Sequence, residues 1–558
     1  MLATLRRRAA PPVAAVRELV ANPGLLSLEF GSFAWMAAEG AYLVGLLVFA
    51  FDVGGTAAVA FVAVLRALPS VVLTPLILSL ADRIARDSLL RLVVAVRVVC
   101  VAILTVLIAQ DAAIASIYLL AAIDAIAAAL LRPLRATLVP ALARSPGELV
   151  AANVATTTGD GLAALLGPTL AAVLLAAGSI AATFVAGTIA MVVALGSTLR
   201  ISAARSLPQD REGPGDATAA DQPARPRAAP LGVLRELLEL RHARLVVACF
   251  VGQRLVRGML AVLVVAASFE VLGLGQPGVG WLTAAIGLGG FVGGVVALGL
   301  VGSRSLARAF AAGLVAWGGG ILLAGVIPNV GVVLAFLALA GVGKVGVDVA
   351  GVSLLQRTVP ADRRGRIFGL LEGMISAALA LGPILASFLV DRLGPGGAIV
   401  VGGAVPLVLV AASWPVLRSA DAAAVLPEPA FQLLSNVPMF RPLQLTTIEQ
   451  LAVGARRETA AAGEAVIREG DPGRTFYIVE SGRLEALVDG RPTIELGPGD
   501  SFGEIALVRD TNRTATVRAI EPSALVVLDR ELFLAAVTSH SESIAAADAV
   551  IGARLAGA

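Results

Sequence analysis

The sequence contains few charged residues and almost no lysine. Only 15% of its 558 residues are charged, and Lys344 is its single lysine. Soluble proteins are nearer a quarter charged, so this composition argues against an ordinary soluble enzyme. The net charge of +3 argues against nucleic acid as a main partner. The two cysteines, Cys100 and Cys249, lie in apolar runs, which predicts neither a disulfide framework nor a cysteine metal site.

What the sequence has instead is apolar length. Hydrophobic residues make up 58% of the chain, and long apolar runs recur up to about residue 418 but not beyond about 430. Each run is long enough to cross a hydrocarbon core of about 30 Å as a helix. We predict twelve membrane spans, at about residues 25–50, 56–80, 89–109, 112–138, 149–176, 178–200, 244–269, 277–301, 305–327, 330–357, 366–390 and 396–417.

The arginines predict the orientation of these spans. Alternate connections are rich in arginine, whereas the intervening ones carry mainly acidic residues such as Asp52, Asp111 and Glu270. The arginine-rich side is expected to be cytoplasmic. We therefore expect a multi-pass protein of a bacterial inner membrane, with both termini in the cytoplasm and the first apolar run retained as a span rather than cleaved as a signal.

Composition also divides the chain into segments. A stretch rich in Pro, Gly and charge separates the first six spans from the last six, and an amphipathic helix is expected after it. We predict a six-helix transmembrane bundle, a cytoplasmic linker with that helix, a second six-helix bundle, a short linker and a soluble domain, at residues 1–200, 201–243, 244–418, 419–431 and 432–558.

The two predicted bundles look like copies of each other. Similar short motifs recur in the same order at a nearly constant spacing of about 215 to 220 residues, which indicates an internal duplication. The paired motifs are Glu39-Gly40 with Arg257-Gly258, Phe51-Asp52 with Phe269-Glu270, Thr137-Leu138-Val139-Pro140-Ala141 with Thr358-Val359-Pro360-Ala361, and Leu166-Gly167-Pro168 with Leu381-Gly382-Pro383.

Six plus six spans around a long central loop resemble the major facilitator superfamily. Leu80-Ala81-Asp82-Arg83 followed by Arg86 resembles that family's motif between spans two and three, although two glycines and the last basic residue of the motif are replaced. The resemblance implies an α-helical membrane protein of twelve transmembrane helices in two repeats, with Asp82, Arg83 and Arg86 as a conformational latch. The Gly167-Pro168 pair resembles the exporter branch, and the enterobactin exporters in particular.

Several predicted spans contain charged residues, which are costly inside a bilayer and are functional candidates. They are Glu39, Arg66, Asp124, Asp160, Arg254, Arg257, Lys344, Asp348 and Glu372. In the family's layout, spans 1, 4, 7 and 10 line a central cavity, so the resemblance implies a transport or coupling role for Glu39, Asp124, Arg254, Arg257, Lys344 and Asp348. Acids in one half and bases in the other would suit a zwitterionic or amphipathic substrate, or proton coupling. Neutralisation of Lys344 by Asp348 four residues later is the structural alternative.

The soluble segment predicts a small β-roll. Short alternating strands separated by glycine turns follow two short helices, and a helical segment closes the chain from about residue 529. Between the strands, Gly503, Ile505 and Ala506 would present amides at a helix start, where an anion is favoured. Arg513 can bind phosphate oxygens, and Glu504 can accept a hydrogen bond from a ribose hydroxyl.

This segment closely resembles the phosphate-binding cassette of cyclic-nucleotide-binding domains. Phe502-Gly503-Glu504-Ile505-Ala506 and Arg513-Thr514-Ala515 match every position of that pattern. The resemblance implies that the glutamate binds the 2′-hydroxyl and the arginine the cyclic phosphate. Thr514 is compatible with either base; we expect cAMP as the regulatory ligand and leave cGMP open. No metal is expected.

We therefore predict a secondary transporter rather than an enzyme: an exporter of a small organic or amphipathic molecule, working by alternating access and regulated by cyclic nucleotide. Its partners would be the lipid bilayer, a small-molecule substrate and the nucleotide, with a homo-oligomer left open. Two alternatives are a membrane-tethered sensor that no longer transports and a lipid or lysolipid flippase of the same fold.

Overall fold

The chain forms two compact units, Met1–Asp421 and Ala422–Ala558. The computed structural model describes residues 19–81, 85–201, 230–297, 306–359, 361–423, 428–443, 445–538 and 541–556. Helices are the regular secondary structure of the first unit's described residues, and the second unit combines β-sheet with short helices.

The first unit contains eleven named helices. They are α1 Pro23–Ala81, α2 Arg86–Ala109, α3 Ile114–Leu142, α4 Pro146–Ala176, α5 Ile180–Thr198, α6 Pro230–Glu239, α7 Arg241–Ala266, α8 Gly275–Ala297, α9 Leu306–Val326, α10 Val330–Thr358 and α11 Ala361–Ala423. Within the described residues, ten helices are long and apolar enough to cross a bilayer, all but the short α6. Below, the first half means α1–α5 and the second half α7–α11.

Ten helices, rather than twelve, arise because α1 and α11 each join two of the predicted spans. Both contain a glycine with a positive φ, Gly55 at 60° and Gly394 at 71°. A right-handed helix requires a negative φ, so the helical path is interrupted at each of these glycines. Each interruption falls between two predicted spans, 25–50 and 56–80 in α1, and 366–390 and 396–417 in α11. The count of twelve spans stays a prediction.

Glycines bring helix backbones close together in both halves. A Cβ added to Gly40 would lie 3.0 Å from Pro168 Cδ, so α1 and α4 touch at this point. A Cβ added to Gly258 would lie 3.2 Å from Gly382 Cα, so α7 and α11 touch in the same manner. Small residues permit such approaches in membrane helices. The repeated motifs of the sequence therefore contact each other in corresponding pairs.

The two halves contact each other along α4 and α8, where Gly287 lies against Ala164, and also near the end of α1's first segment, where Phe51 meets Phe269 just after α7. The rings of Phe51 and Phe269 stack with their centroids 4.4 Å apart, and Gln276 Nε2 donates a hydrogen bond to Asp52 Oδ2 at 2.8 Å. Phe51 and Phe269 belong to one of the recurring motif pairs of the sequence.

The second unit contains two antiparallel sheets. Its strands are β1 Arg456–Ala460, β2 Ala465–Ile467, β3 Thr475–Ser481, β4 Leu484–Val488, β5 Arg491–Leu496, β6 Ser501–Phe502, β7 Thr516–Ala519 and β8 Ser523–Asp529. Their order is β1-β8-β3-β6 in one sheet and β2-β7-β4-β5 in the other. Buried side chains of both sheets, among them Val479, Leu484, Val517 and Val527, form the core between them.

Helices cover the outer side of the first of these sheets. They are α12 Glu428–Asn436, α13 Leu445–Gly454, α14 Glu504–Val508, α15 Arg530–Thr538 and α16 Ser541–Ala556. Phe440, Phe476 and Phe533 join the helices to the sheet, with Phe476 and Phe533 stacked at 4.6 Å. The predicted β-roll between flanking helices describes this architecture.

Candidate functional site

The cassette of the second unit begins with a sharp turn at Gly503. This residue follows β6 with φ of 90° and ψ of 0°, a left-handed conformation that suits glycine, and α14 begins at the next residue. The first N–H groups of a helix have no intrahelical acceptor, and the end of the helix that carries them favours an anion. Gly503, Ile505 and Ala506 lie at this end, as the sequence predicts.

The position of Arg513 is fixed by the turn that precedes β3. Its backbone N–H donates to Asp471 O at 2.8 Å, and its carbonyl accepts from Gly470 N at 2.9 Å. The side chain crosses to the cassette, where Nη1 donates to Gly503 O at 2.8 Å and Nη2 to Thr475 O at 2.7 Å. A guanidinium carries five N–H donors, so donors remain for a ligand phosphate.

Arg513 is a buried cation beside a buried carboxylate. It is 5% exposed and Glu504 is 0% exposed. Burial lowers the pKa of the Arg513 guanidinium from its ordinary value, whereas Tyr477, Glu504 and Asp471 act in the opposite direction. Because an arginine starts from so high a pKa, it remains charged at neutral pH. The cassette therefore presents a fixed positive charge next to the amides of α14.

Glu504 is held by a residue that the sequence analysis does not single out. Arg554 of α16 donates from Nη1 to Glu504 Oε1 at 2.6 Å and from Nη2 to Ser501 O at 2.5 Å. The other carboxylate oxygen, Oε2, is buried and has no hydrogen-bond partner in the described part of the chain. A buried acceptor without a partner is costly, which makes Oε2 a natural acceptor for a ligand hydroxyl.

The remaining predicted cassette residues surround this pair. Phe502 is buried and stacks on Tyr477 with ring centroids 4.9 Å apart. Ala506 is also buried, Ile505 and Ala515 are partly exposed, and Thr514 is exposed. Thr514 is thus accessible to a ligand, whereas Phe502 and Ala506 pack beneath the cassette.

Five residues of the first half form one cluster, the first-half cluster, of Glu39, Tyr42, Arg66, Arg97 and Asp124. Arg97 Nε lies 2.9 Å from Asp124 Oδ1, and Arg97 Nη1 lies 3.5 Å from Glu39 Oε2. Arg66 approaches the same two carboxylates at 3.4 and 3.6 Å. The Tyr42 hydroxyl donates a hydrogen bond to Asp124. Two acids and two arginines balance each other, with Asp124 and Arg97 0% exposed.

Four charged residues of the second half form the second-half cluster, of Arg254, Arg257, Lys344 and Asp348. Arg254 Nη2 lies 2.7 Å from Asp348 Oδ1, and Lys344 Nζ lies 3.6 Å from Asp348 Oδ2. The cluster thus holds three cations and one carboxylate, which contacts Arg254 and Lys344. The ion pair between Lys344 and Asp348, which is the structural alternative to a transport role, is present. Asp348 also pairs with Arg254, so it does not neutralise Lys344 alone.

Two other predicted charges have different surroundings. Asp160 forms a two-pronged ion pair with Arg135, at 2.7 and 2.9 Å, and Glu372 is exposed on α11. For the predicted latch, Arg86 is exposed at the start of α2, while Asp82 and Arg83 lie outside the described residues.

Two family models match parts of the chain. Residues 246–453 match the Major Facilitator Superfamily, a range that begins within α7 and extends through α11 into α13. Residues 457–540 match the cyclic nucleotide-binding domain. Neither matched model describes an enzyme, and the first supports a multi-pass membrane protein.

Similar curated proteins match over shorter stretches. An uncharacterized protein of Mycobacterium tuberculosis is 46% identical over 16% of this chain and 19% of its own length. Acetyltransferase Pat of Mycolicibacterium smegmatis is 42% identical over 18% of this chain and 31% of its own. The cAMP-dependent protein kinase regulatory subunit of Yarrowia lipolytica is 38% identical over 19% and 28%.

This chain spans between 19 and 31% of the length of these relatives, so the matches concern a part of each protein. The two family models, the apolar helices and the paired sheets together divide the chain into a helical membrane part and a part with two β-sheets. The chain combines a major facilitator superfamily domain in the membrane with a C-terminal cyclic nucleotide-binding domain.

Proposed function

We propose that the protein is a secondary transporter whose activity is regulated by a cyclic nucleotide, with cAMP as the expected ligand. The observation that carries the proposal is the cassette of Gly503, Glu504 and Arg513. It offers a buried guanidinium and helix-start amides for a cyclic phosphate, and an unpartnered carboxylate oxygen for a ribose hydroxyl. Similarity to a cAMP-dependent protein kinase regulatory subunit supports this choice of ligand.

The transport mechanism we propose is alternating access of two six-span repeats. Corresponding contacts support the duplication: Gly40 with Pro168 in the first half, and Gly258 with Gly382 in the second. In this scheme the stacked Phe51 and Phe269 hold the halves together at the non-cytoplasmic end. Arg86, with Asp82 and Arg83, would latch the cytoplasmic end, and the two clusters would line the central pathway.

The remaining parts of the proposal follow from the arginine distribution and the exporter resemblance. The protein would reside in a bacterial inner membrane with both termini in the cytoplasm, where cyclic nucleotides are made. It would export a small organic or amphipathic molecule. A nucleotide that binds one transport state 100-fold better than the other shifts their equilibrium by about 2.7 kcal/mol.

Transport by the full chain in proteoliposomes tests this proposal. The probes are carboxyfluorescein, ethidium and tryptophan, which represent an anion, a cation and a zwitterion. Wild type and Arg513→Glu are compared with and without cAMP; Arg518→Glu, an exposed arginine of β7, is the control. We expect cAMP to change the transport rate of wild type and control only. Equal rates with and without cAMP would remove regulation, and no transport of any probe would favour the sensor.

A further inference from the structure

The second-half cluster carries more positive than negative charge in the middle of membrane-spanning helices. Arg254 and Arg257 lie within the candidate span Arg241–Val271, and Lys344 and Asp348 within Val330–Thr358. Asp348 is the carboxylate that these cations share, through Arg254 at 2.7 Å and Lys344 at 3.6 Å. A cation without a counter-ion is costly in a membrane.

Arg257 is the cation left over. Throughout the part of the chain that the structure describes, its guanidinium forms no ion pair or hydrogen bond, and Arg254, Lys344, Asp348 and Arg132 are near enough to act on it electrostatically. Arg254 Nε is likewise buried without an acceptor among the described residues. The cluster therefore holds unused N–H donors as well as unbalanced charge.

A charged residue of the first half lies within electrostatic range of the cluster. Arg132 belongs to α3 of the first half, yet it acts electrostatically on both Arg257 and Lys344 of the second half. Arg132 adds a further positive charge to the same region. The side chains are also partly accessible, since Arg254, Lys344 and Asp348 are 16, 26 and 29% exposed. A small molecule between the halves would thus meet these cations.

The acids of the first half do not balance this charge. Glu39 and Asp124 are each contacted by Arg66 and by Arg97, at 2.9 to 3.6 Å. Their negative charge is therefore already neutralised within the first half. The sequence suggested acid facing base across the cavity, whereas the geometry sets a balanced cluster beside a cationic one.

We infer that the second-half cluster binds an anionic group, a carboxylate or phosphate, with Arg257 as its principal ligand. Arginine matches both groups because its planar fork donates two parallel hydrogen bonds. The inference depends on the proposed transport function in one respect: it treats the anionic group as part of the transported substrate. An anionic lipid headgroup offers the same chemistry as a soluble organic anion.

Anion-dependent thermal stability of the full chain tests this site. The protein is placed in phosphatidylcholine nanodiscs and titrated with citrate or with inorganic phosphate, against sodium chloride of equal ionic strength. We expect at least one of these anions to raise the melting temperature of wild type and of Arg257→Lys. Arg257→Gln should weaken the apparent affinity by about 10- to 100-fold, the loss of a charge-assisted hydrogen bond.

Arg392→Gln is the matched control, because Arg392 lies on α11 over the ring of Phe388 and outside the cluster. It removes the same charge and should respond as wild type does. If the anions raise the melting temperatures of Arg257→Gln and Arg392→Gln equally, the site is wrong. It is also wrong if neither citrate nor phosphate raises the melting temperature of wild type more than chloride does. A preserved thermal shift with cAMP would show that the variant is folded and leave the proposed function standing.

Nanodiscs of phosphatidylglycerol distinguish the source of the anion. If the headgroup occupies the site, phosphatidylglycerol without added anion raises the melting temperature of wild type more than that of Arg257→Gln. Citrate and phosphate then cause no further shift in these nanodiscs. If a soluble anion occupies it, the titrations persist in both lipids. Stabilisation by phosphatidylglycerol that is equal in wild type and Arg257→Gln, with no titration, would contradict the inference.

Discussion

Replacing Arg554 by glutamine tests how the C-terminal helix α16 acts on the nucleotide site. In the structure Arg554 Nη1 lies 2.6 Å from Glu504 Oε1 and leaves Oε2 without a partner. Arg554 thereby orients the carboxylate so that one oxygen is satisfied and the other is available to a ribose 2′-hydroxyl. The substitution removes this orientation while leaving Arg513 and the helix-start amides in place.

The expected magnitude follows from burial of the pair. Removing one partner of a fully buried ion pair costs about 3 to 5 kcal/mol. Glu504 is 0% exposed but Arg554 is 25% exposed, so water replaces part of the lost interaction. We expect the second unit to lose about 1 to 3 kcal/mol of stability. Faster amide exchange in α14 and α16 would report this loss.

The more specific effect concerns the ribose. Wild type should bind cAMP about 10- to 100-fold more tightly than 2′-deoxy-cAMP, the value of one hydrogen bond to a charged acceptor. In Arg554→Gln this preference should shrink to a few-fold, because Glu504 is no longer held in position. Calorimetric titration of the full chain with both nucleotides measures the preference directly.

Arg509→Gln provides the matched control. Arg509 also bridges to α16, through Asp548 at 3.2 Å, but both side chains are about half exposed and neither touches Glu504. Such a surface pair contributes at most about 1 kcal/mol, and its loss should leave the ribose preference unchanged. If Arg554→Gln and Arg509→Gln behave alike, or if the preference survives in Arg554→Gln, Arg554 has no positioning role.

Two further substitutions probe the cassette turn and the first-half cluster. Gly503→Ala adds a side chain at φ of 90° and places a Cβ 2.7 Å from Arg513 Nη1, so we expect the affinity for cAMP to fall about tenfold. Gly499→Ala is the control, because Gly499 has a φ of 93° and open space around it. It carries similar backbone strain and should keep the wild-type affinity, as measured by calorimetry. Arg97→Gln leaves the fully buried Asp124 short of a partner and should destabilise the membrane unit by about 3 to 5 kcal/mol, seen as a lower melting temperature. Adding Asp124→Asn should restore part of that loss; no restoration would argue against the ion pair.

The geometry of the cassette could be predicted from the sequence because its residues are local. Glu504 and Arg513 lie within one short cassette, and the left-handed turn at Gly503 follows from a glycine at that place. Arg554 could not be predicted in the same way. It lies fifty residues from Glu504 in a helix without a motif, and only the packing of α16 brings the two together.

Most of the membrane charges were predicted individually, but of their pairings only that of Lys344 with Asp348 was. Arg97 lies in the middle of a predicted span, so the rule that charge is costly in a bilayer applied to it as well as to Asp124. Its absence from the sequence-based candidates hid the neutral character of the first-half cluster. Pairing depends on helix rotation, which a hydropathy pattern does not determine.

In the fold as well, features that depend on neighbouring residues could be predicted, whereas features that depend on contacts distant in the sequence could not. Apolar length located the membrane segments, but their count depends on whether a glycine break ends a helix. In the second unit β1, with the sequence RRETA, lacks an alternating apolar pattern and was missed. It is an exposed edge strand whose pairing with β8 gives it its structure.

The most direct test is calorimetric titration of the full chain with cAMP and cGMP, for wild type, Arg513→Gln and Arg518→Gln. Arg518 is a half-exposed arginine of β7 that pairs with Glu485, away from the cassette. Saturable binding of a cyclic nucleotide to wild type and to Arg518→Gln, weakened at least 100-fold in Arg513→Gln, is the predicted result. Heat signals without saturation for both nucleotides in wild type, or equal affinity in Arg513→Gln, would contradict it.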